Sequence, residues 1–157
     1  MRKIRNPYAE SGRLDYQCFG CSPNNPIGLH LEFWEKGEAI FAKWMPRKSL
    51  QGFRDVLHGG IQATLLDEIA GWVVQTRCKT AGVTTSIEVS YLRPVLVSDG
   101  EITLRGKVIE AGSRMAIIEA ELLGHDGKVC ASAIVKYFLF SEDKATKEYF
   151  YPGADAF

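Results

Sequence analysis

The chain has 157 residues, room for one domain of ordinary size, and its 46% hydrophobic and 24% charged content is that of a soluble globular protein rather than a disordered or rod-like one. Lys+Arg and Asp+Glu both number 19, so the net charge is zero and general nucleic-acid binding, which needs clustered cations against phosphates, is not expected. The basic residues at positions 2, 3 and 5 have no apolar stretch behind them and no run approaches a membrane span, so a cytoplasmic location without membrane association is expected.

In chain order, residues 1–26 are turn-rich and end in Cys18-Phe19-Gly20-Cys21-Ser22-Pro23, which reads as an N-terminal extension. Two alternating runs, 27–34 and 39–45, flank the polar Glu35-Lys36-Gly37-Glu38 and predict a hairpin. A polar loop follows. His58-Gly59-Gly60 then opens one long helix, predicted over 60–77. At 100° per residue Ile61, Leu65, Ile69 and Trp72 form an apolar stripe, widened by Leu66 and Val73. The opposite face carries Gly60, Ala63, Thr64, Asp67 and Gly71: small residues with one carboxylate among them. Glu68 points about 100° from Asp67 and reads as an ordinary surface acid.

Four further period-2 runs, 83–93, 100–110, 114–123 and 128–140, are separated by Gly-containing turns. The charged and then aromatic residues 141–157 form a C-terminal tail, leaving 27–140 as the folded domain. One helix inserted after the second strand of an antiparallel meander implies an α+β domain, its sheet curled around the helix in the hotdog arrangement.

His58-Gly59-Gly60 followed by Asp67 carries the most chemistry. Glycines at a helix start leave backbone N–H groups bare, and the helix dipole adds partial positive charge there, so an oxyanion can sit on them. The plain structural reading, a tight helix entry capped by His58, is of equal weight. Asp is a poor helix former, which singles out Asp67. Gly59 and Asp67 lie eight positions apart, roughly 12 Å along the helix axis at about 1.5 Å per residue. One carbonyl cannot touch both, so a shared reaction implies a two-fold dimer in which donor and carboxylate come from different subunits.

Cys18-Phe19-Gly20-Cys21 with Asn25-Pro26-Ile27-Gly28-Leu29, then Gln51-Gly52-Phe53, His58-Gly59-Gly60-Ile61 through Leu65-Leu66-Asp67-Glu68, and Tyr91-Leu92-Arg93-Pro94 resemble the hotdog acyl-CoA thioesterases of the phenylacetate-pathway (PaaI-like) type. The resemblance covers about residues 18–140. It implies hydrolysis of an acyl-CoA by a homodimer or dimer of dimers, with coenzyme A as part of the substrate and no separate cofactor. Carried over, the Gly59 N–H binds the thioester carbonyl, Asp67 is base or nucleophile, and His58 and Gly60 support the loop. The position where relatives carry Asn or Gln is Gly52, so Gln51 is the candidate to hold the water or carbonyl. A hydroxyl at the start of the next strand falls to Thr84 or Thr85, only one of which can face the site because neighbours in a strand point to opposite faces. Arg93, Ser113 and Arg114 are candidates for the coenzyme A phosphates, since Arg suits phosphate recognition, although ordinary strand-end charge is the competing reading.

Cys18-x-x-Cys21 lacks a second CxxC, and Cys78 and Cys130 are isolated, so no metal site is expected. His30 and His125 read as solvated or structural. Two alternatives share the fold: a non-catalytic acyl-CoA binding module, in which Asp67 is dispensable, and an enoyl-CoA hydratase or dehydratase, which needs an acid/base pair such as His58 with Asp67.

Overall fold

The computed structural model describes residues 1–157. Seven strands form one antiparallel sheet: β1 (Arg2–Lys3), β2 (Trp34–Lys36), β3 (Ala39–Trp44), β4 (Gly82–Tyr91), β5 (Ile102–Ala111), β6 (Met115–Leu123) and β7 (Val129–Leu139). Three helices accompany them, the single-turn α1 (Pro7–Glu10), the central α2 (Gly59–Val73) and α3 (Glu142–Tyr149).

The sheet order is β1-β2-β3-β5-β6-β7-β4, so the expected plain meander is corrected. Strands β5 to β7 do run as a meander, but β3 pairs with β5, and β4 crosses to the far edge beside β7. The crossing gives α2 its place. The helix packs on β3, β4, β5, β6 and β7 together, enclosed by a curled sheet. Leu65, Leu66, Ile69, Ala70, Trp72 and Val73 are buried on the helix, facing the inward residues of β5 and β6 such as Leu104, Ile118, Ala120 and Leu122. Close approach depends on Gly106 of β5. A Cβ there would stand 2.9 Å from Val73 and 3.3 Å from Ile69, so any larger residue would push the helix off the sheet. Gln62 is also buried, its side-chain N–H donating to the Leu57 carbonyl at 2.9 Å, whereas Ile61 is only partly buried. Beyond Val73 the helix continues in a wider π turn, Val74–Cys78, and stops at Lys79, which is left-handed at φ 56°.

The first expected strand departs from the alternation that predicted it. Leu29, Leu31 and Phe33 do alternate inward and are buried, yet only Trp34–Lys36 joins the sheet. The backbone before it pairs instead with the N-terminal loop, Leu29 N–H donating to Phe19 O at 2.7 Å and Leu31 N–H to Gly20 O at 2.9 Å. The two outer segments also join the central packing. Ile4 and Cys21 from residues 1–26, and Tyr151 and Phe157 from residues 141–157, are buried in the same apolar cluster as the helix. Phe157 meets Trp72 edge-on at 5.7 Å, Trp72 stacks on Phe33 at 4.4 Å, and the Arg2 guanidinium donates to the Phe157 carbonyl at 3.2 Å. No helix is long and apolar enough to cross a membrane.

Candidate active site

Helix α2 presents its chemistry at two levels. At its start, His58 is the N-cap, and its Nδ1 accepts the Gly60 N–H at 2.9 Å, as a capping side chain does. That bond occupies Gly60, while the Gly59 N–H remains among the helix-start donors without an acceptor. The Tyr91 hydroxyl, from the end of β4, donates to the Gly59 carbonyl at 2.6 Å and lies over the glycine. Tyr91 was legible only as part of a motif.

Two turns along, Asp67 lines a cleft of about 650 Å³ between the helix, the start of β4 and the two terminal segments. Its Oδ1 accepts the Thr84 hydroxyl at 2.8 Å and the Tyr137 hydroxyl at 3.1 Å; its Oδ2 receives no protein donor. Tyr137 also donates to the Asp67 backbone carbonyl at 3.0 Å, and the absence of a side chain at Gly71 makes room, because a Cβ there would sit 3.4 Å from the Tyr137 oxygen. Burial first, and then the nearby Asp67 charge, push the Tyr137 phenol up from its ordinary range, so it stays a donor at neutral pH. A carboxylate with one oxygen fixed by two hydroxyls and the other open to a cleft can accept a proton from water or attack an electrophilic carbon.

Thr84 is therefore the threonine turned toward Asp67. Thr85 is not: a register irregularity between Thr84 and Ser86 sends its hydroxyl to the Lys136 carbonyl at 3.1 Å. Gln51 is likewise turned to its own loop, its Oε1 accepting the Asp55 N–H at 3.1 Å. Arg93 is engaged by Asp126 at 3.1 Å, which holds the Asp126 carboxyl below the usual range. Ser113 and Arg114 lie exposed in the turn between β5 and β6, Arg114 without an ion-pair partner. Arg93 follows the end of β4 at Tyr91, while Arg114 precedes Met115, which reaches the other end of β4 through Phe138 and Val83. Ten strand residues at about 3.4 Å each separate these levels by roughly 30 Å, so the two arginines of one protomer cannot hold the same phosphate.

Glu68 departs most from its sequence reading. It is half-buried in the cleft wall rather than freely solvated: Trp72 Nε1 donates to its Oε1 at 3.2 Å, and Cys18 Sγ lies 3.5 Å from the same oxygen. Burial pushes its carboxyl up from the usual range. Helical spacing shows which way Glu68 points but not that the segment around Cys18, fifty positions earlier, folds over it.

A curled antiparallel sheet wrapped around one central helix is the hotdog arrangement. Residues 55–131 match the family model described as the thioesterase superfamily. The chain belongs to that superfamily. It is 33% identical over 107 residues to a provisionally named esterase of Saccharolobus solfataricus, covering 67% of this chain and 74% of the relative. It is 31% identical over 133 residues to the medium/long-chain acyl-CoA thioesterase YigI of Escherichia coli, covering 74% of this chain and 84% of the relative. Among solved structures, a hypothetical thioesterase of Streptococcus pneumoniae with coenzyme A superposes with a TM-score of 0.66 at 21% identity, over 71% of this chain and 87% of that one.

Proposed function

We propose that the protein hydrolyses acyl-CoA thioesters to the free acid and coenzyme A, with Asp67 as base or nucleophile. The observation that carries this reading is the Asp67 carboxylate at the cleft, one oxygen anchored by Thr84 and Tyr137 and the other free. Membership of the thioesterase superfamily and the acyl-CoA specificity in the name of the YigI relatives support it. The Oδ2 atom takes a proton from water as the water adds to the thioester carbon, or adds directly to give an anhydride that water then opens. Either way the carbonyl becomes an oxyanion, and collapse of the tetrahedral intermediate expels the coenzyme A thiolate. No metal is needed for such a leaving group.

The oxyanion donor in this reading is the Gly59 N–H. Along one helix it is too far from Asp67 to share a carbonyl with it, so the site pairs Gly59 of one protomer with Asp67 of the partner subunit. The edge strand β4 supports a dimer: it is ten residues long with Val83, Ile87 and Tyr91 exposed, an edge that an unassociated chain would leave open to pairing. Arg114, free of an ion pair, is the better placed of the two arginines for a coenzyme A phosphate. The hydratase alternative would have to work through Nε2 of His58, because its Nδ1 already accepts the Gly60 N–H.

The test is release of free thiol from short, long and aromatic acyl-CoAs, the aromatic ones examining the phenylacetate-pathway resemblance. Turnover by wild type and its loss in Asp67→Asn support the reading; tight acyl-CoA binding without thiol release would replace it with the binding module.

A further inference from the structure

The fold assembles a group that neither the thioesterase chemistry nor the CxxC spacing accounts for. One ligand-type atom each from Cys18, Cys21 and Glu68 lies within 4.8 Å of the others, on the wall of the cleft next to Asp67. Two come from the N-terminal segment and one from α2. Sequence reading rejected a metal here because a second CxxC was missing; the third donor arrives through the fold, from a glutamate assigned to the surface.

From this convergence we propose that Cys18, Cys21 and Glu68 bind one zinc ion, with a water in the fourth position facing the cleft. The Cys18–Glu68 separation suits one edge of a tetrahedron. With Zn–S near 2.3 Å and Zn–O near 2.0 to 2.2 Å, a sulfur-to-oxygen edge is roughly 3.5 Å. Cys18 Sγ lies 3.5 and 3.7 Å from the two Glu68 oxygens. The donor set, two soft thiolates and a carboxylate, selects zinc over magnesium or calcium.

The surroundings are those that orient metal ligands. Trp72 Nε1 donates to Glu68 Oε1 at 3.2 Å, steering the carboxylate. The Tyr16 hydroxyl sits 2.8 Å from Cys21 Sγ, where it donates to a thiolate. The Cys21 thiol, and to a lesser degree the Cys21 and Gly20 backbone N–H groups, draw the Cys18 pKa down against the opposing effect of burial. Gly20 is required for the approach: a Cβ there would fall 2.3 Å from the Glu68 carboxyl carbon. The hydrogen-bond partners of Glu68 include no Lys, Arg or His, and neither do those of Cys18 or Cys21. Without a cation, the Cys18 hydrogen bond and burial push Cys21 up, and burial pushes Glu68 up. A dication offsets two of the three negative charges and stabilises both thiolates, displacing the thiol protons to solvent. Its role is to pin the segment around residues 18–21 onto α2, fixing the cleft wall beside Asp67.

The test is metal uptake by the reduced, chelator-stripped full chain, read without any assay of hydrolysis. Cobalt(II) titration is expected to give one equivalent per chain, with the thiolate-to-cobalt charge-transfer absorption of a tetrahedral site, and zinc(II) is expected to abolish that absorption. Cys18→Ser and Cys21→Ser should lose the band, and Glu68→Gln should bind at least tenfold more weakly. Tyr16→Phe, which keeps the ring, should weaken binding about 10- to 100-fold. Cys78→Ser should leave it intact. Thermal unfolding of wild type should move up with zinc, as for any ligand selective for the folded state. Three results would overturn the proposal: no band in folded wild type, a band indifferent to Cys18 and Cys21, or ready Cys18–Cys21 disulfide formation with diamide in a protein that takes up no metal.

Discussion

At the scale of the residue, the position of one carboxylate oxygen depends on two hydroxyls. Thr84 and Tyr137 hold Oδ1 of Asp67, so in the proposed reaction Oδ2 would be aimed without cost at the moment of attack. Removing one such bond to a charged group is worth about 1.5 to 3 kcal/mol, and about 1.4 kcal/mol is a factor of ten in rate. Thr84→Val is therefore expected to lower kcat about tenfold or more with little change in KM, while the adjacent Thr85→Val, whose hydroxyl serves the Lys136 carbonyl, should stay within twofold of wild type. Steady-state kinetics on one acyl-CoA settles the pair: equal effects would show that Thr84 does not position Asp67. Much of this arrangement was readable in advance, because Asp67 stood out as an acid on a small-residue face. Which threonine faces it was not, because the choice depends on a local register irregularity that alternation does not encode.

At the scale of the element, the terminal segments are part of the core and of the cleft. Phe157, 6% exposed, packs on Tyr8, Trp72 and Tyr151. Phe157→Ala should cost about 3 kcal/mol, the scale of a buried Phe truncation, measured from urea midpoints; a change under about 0.5 kcal/mol would mark it as a surface residue. The sheet edge is tied down by Glu35 of β2, which bonds Arg2 of β1 and pairs with Arg77 at 2.9 Å. Arg2 and then Arg77 hold the Glu35 carboxyl below the usual range despite partial desolvation. A depressed folded pKa gives stability that is complete above the unfolded value, about 4.3, and is lost as pH falls through the folded one. Glu35→Gln should thus be less stable than wild type at pH 7, by no more than about 1 kcal/mol for so accessible a network, and the difference should disappear on acidification below pH 4. A gap that persists there would mean the side chain acts by packing. The helix and four long strands were legible from periodicity because burial repeats along them. The terminal segments were not: Ile4, Tyr151 and Phe157 bury themselves against residues far along the chain, and no local period marks such contacts. For the same reason the 27–34 run alternated like a strand yet found its partner in the Phe19–Gly20 backbone.

At the scale of the whole molecule, the proposed chemistry requires two copies. The helix separates Gly59 from Asp67 by its own length, and only the antiparallel helix of a second copy can bring the one level to the other. Exposed apolar side chains along β4 are where that copy should sit. Ile87→Lys places a charge in the middle of this edge and is expected to give a folded monomer by sedimentation, with hydrolysis reduced to near background. A fully active monomer would show that one chain completes the site, and the pairing of Gly59 with the partner's Asp67 would then be wrong.

The most direct measurement is thiol release from acyl-CoA by wild type and Asp67→Asn, both first shown by sedimentation and circular dichroism to have the same assembly and fold. A fall of at least about a hundredfold in kcat, the scale of a positioned acid–base group, is the expected result. Undiminished turnover by the asparagine variant would contradict the account, because the residue on which the cleft converges would then take no part in the reaction.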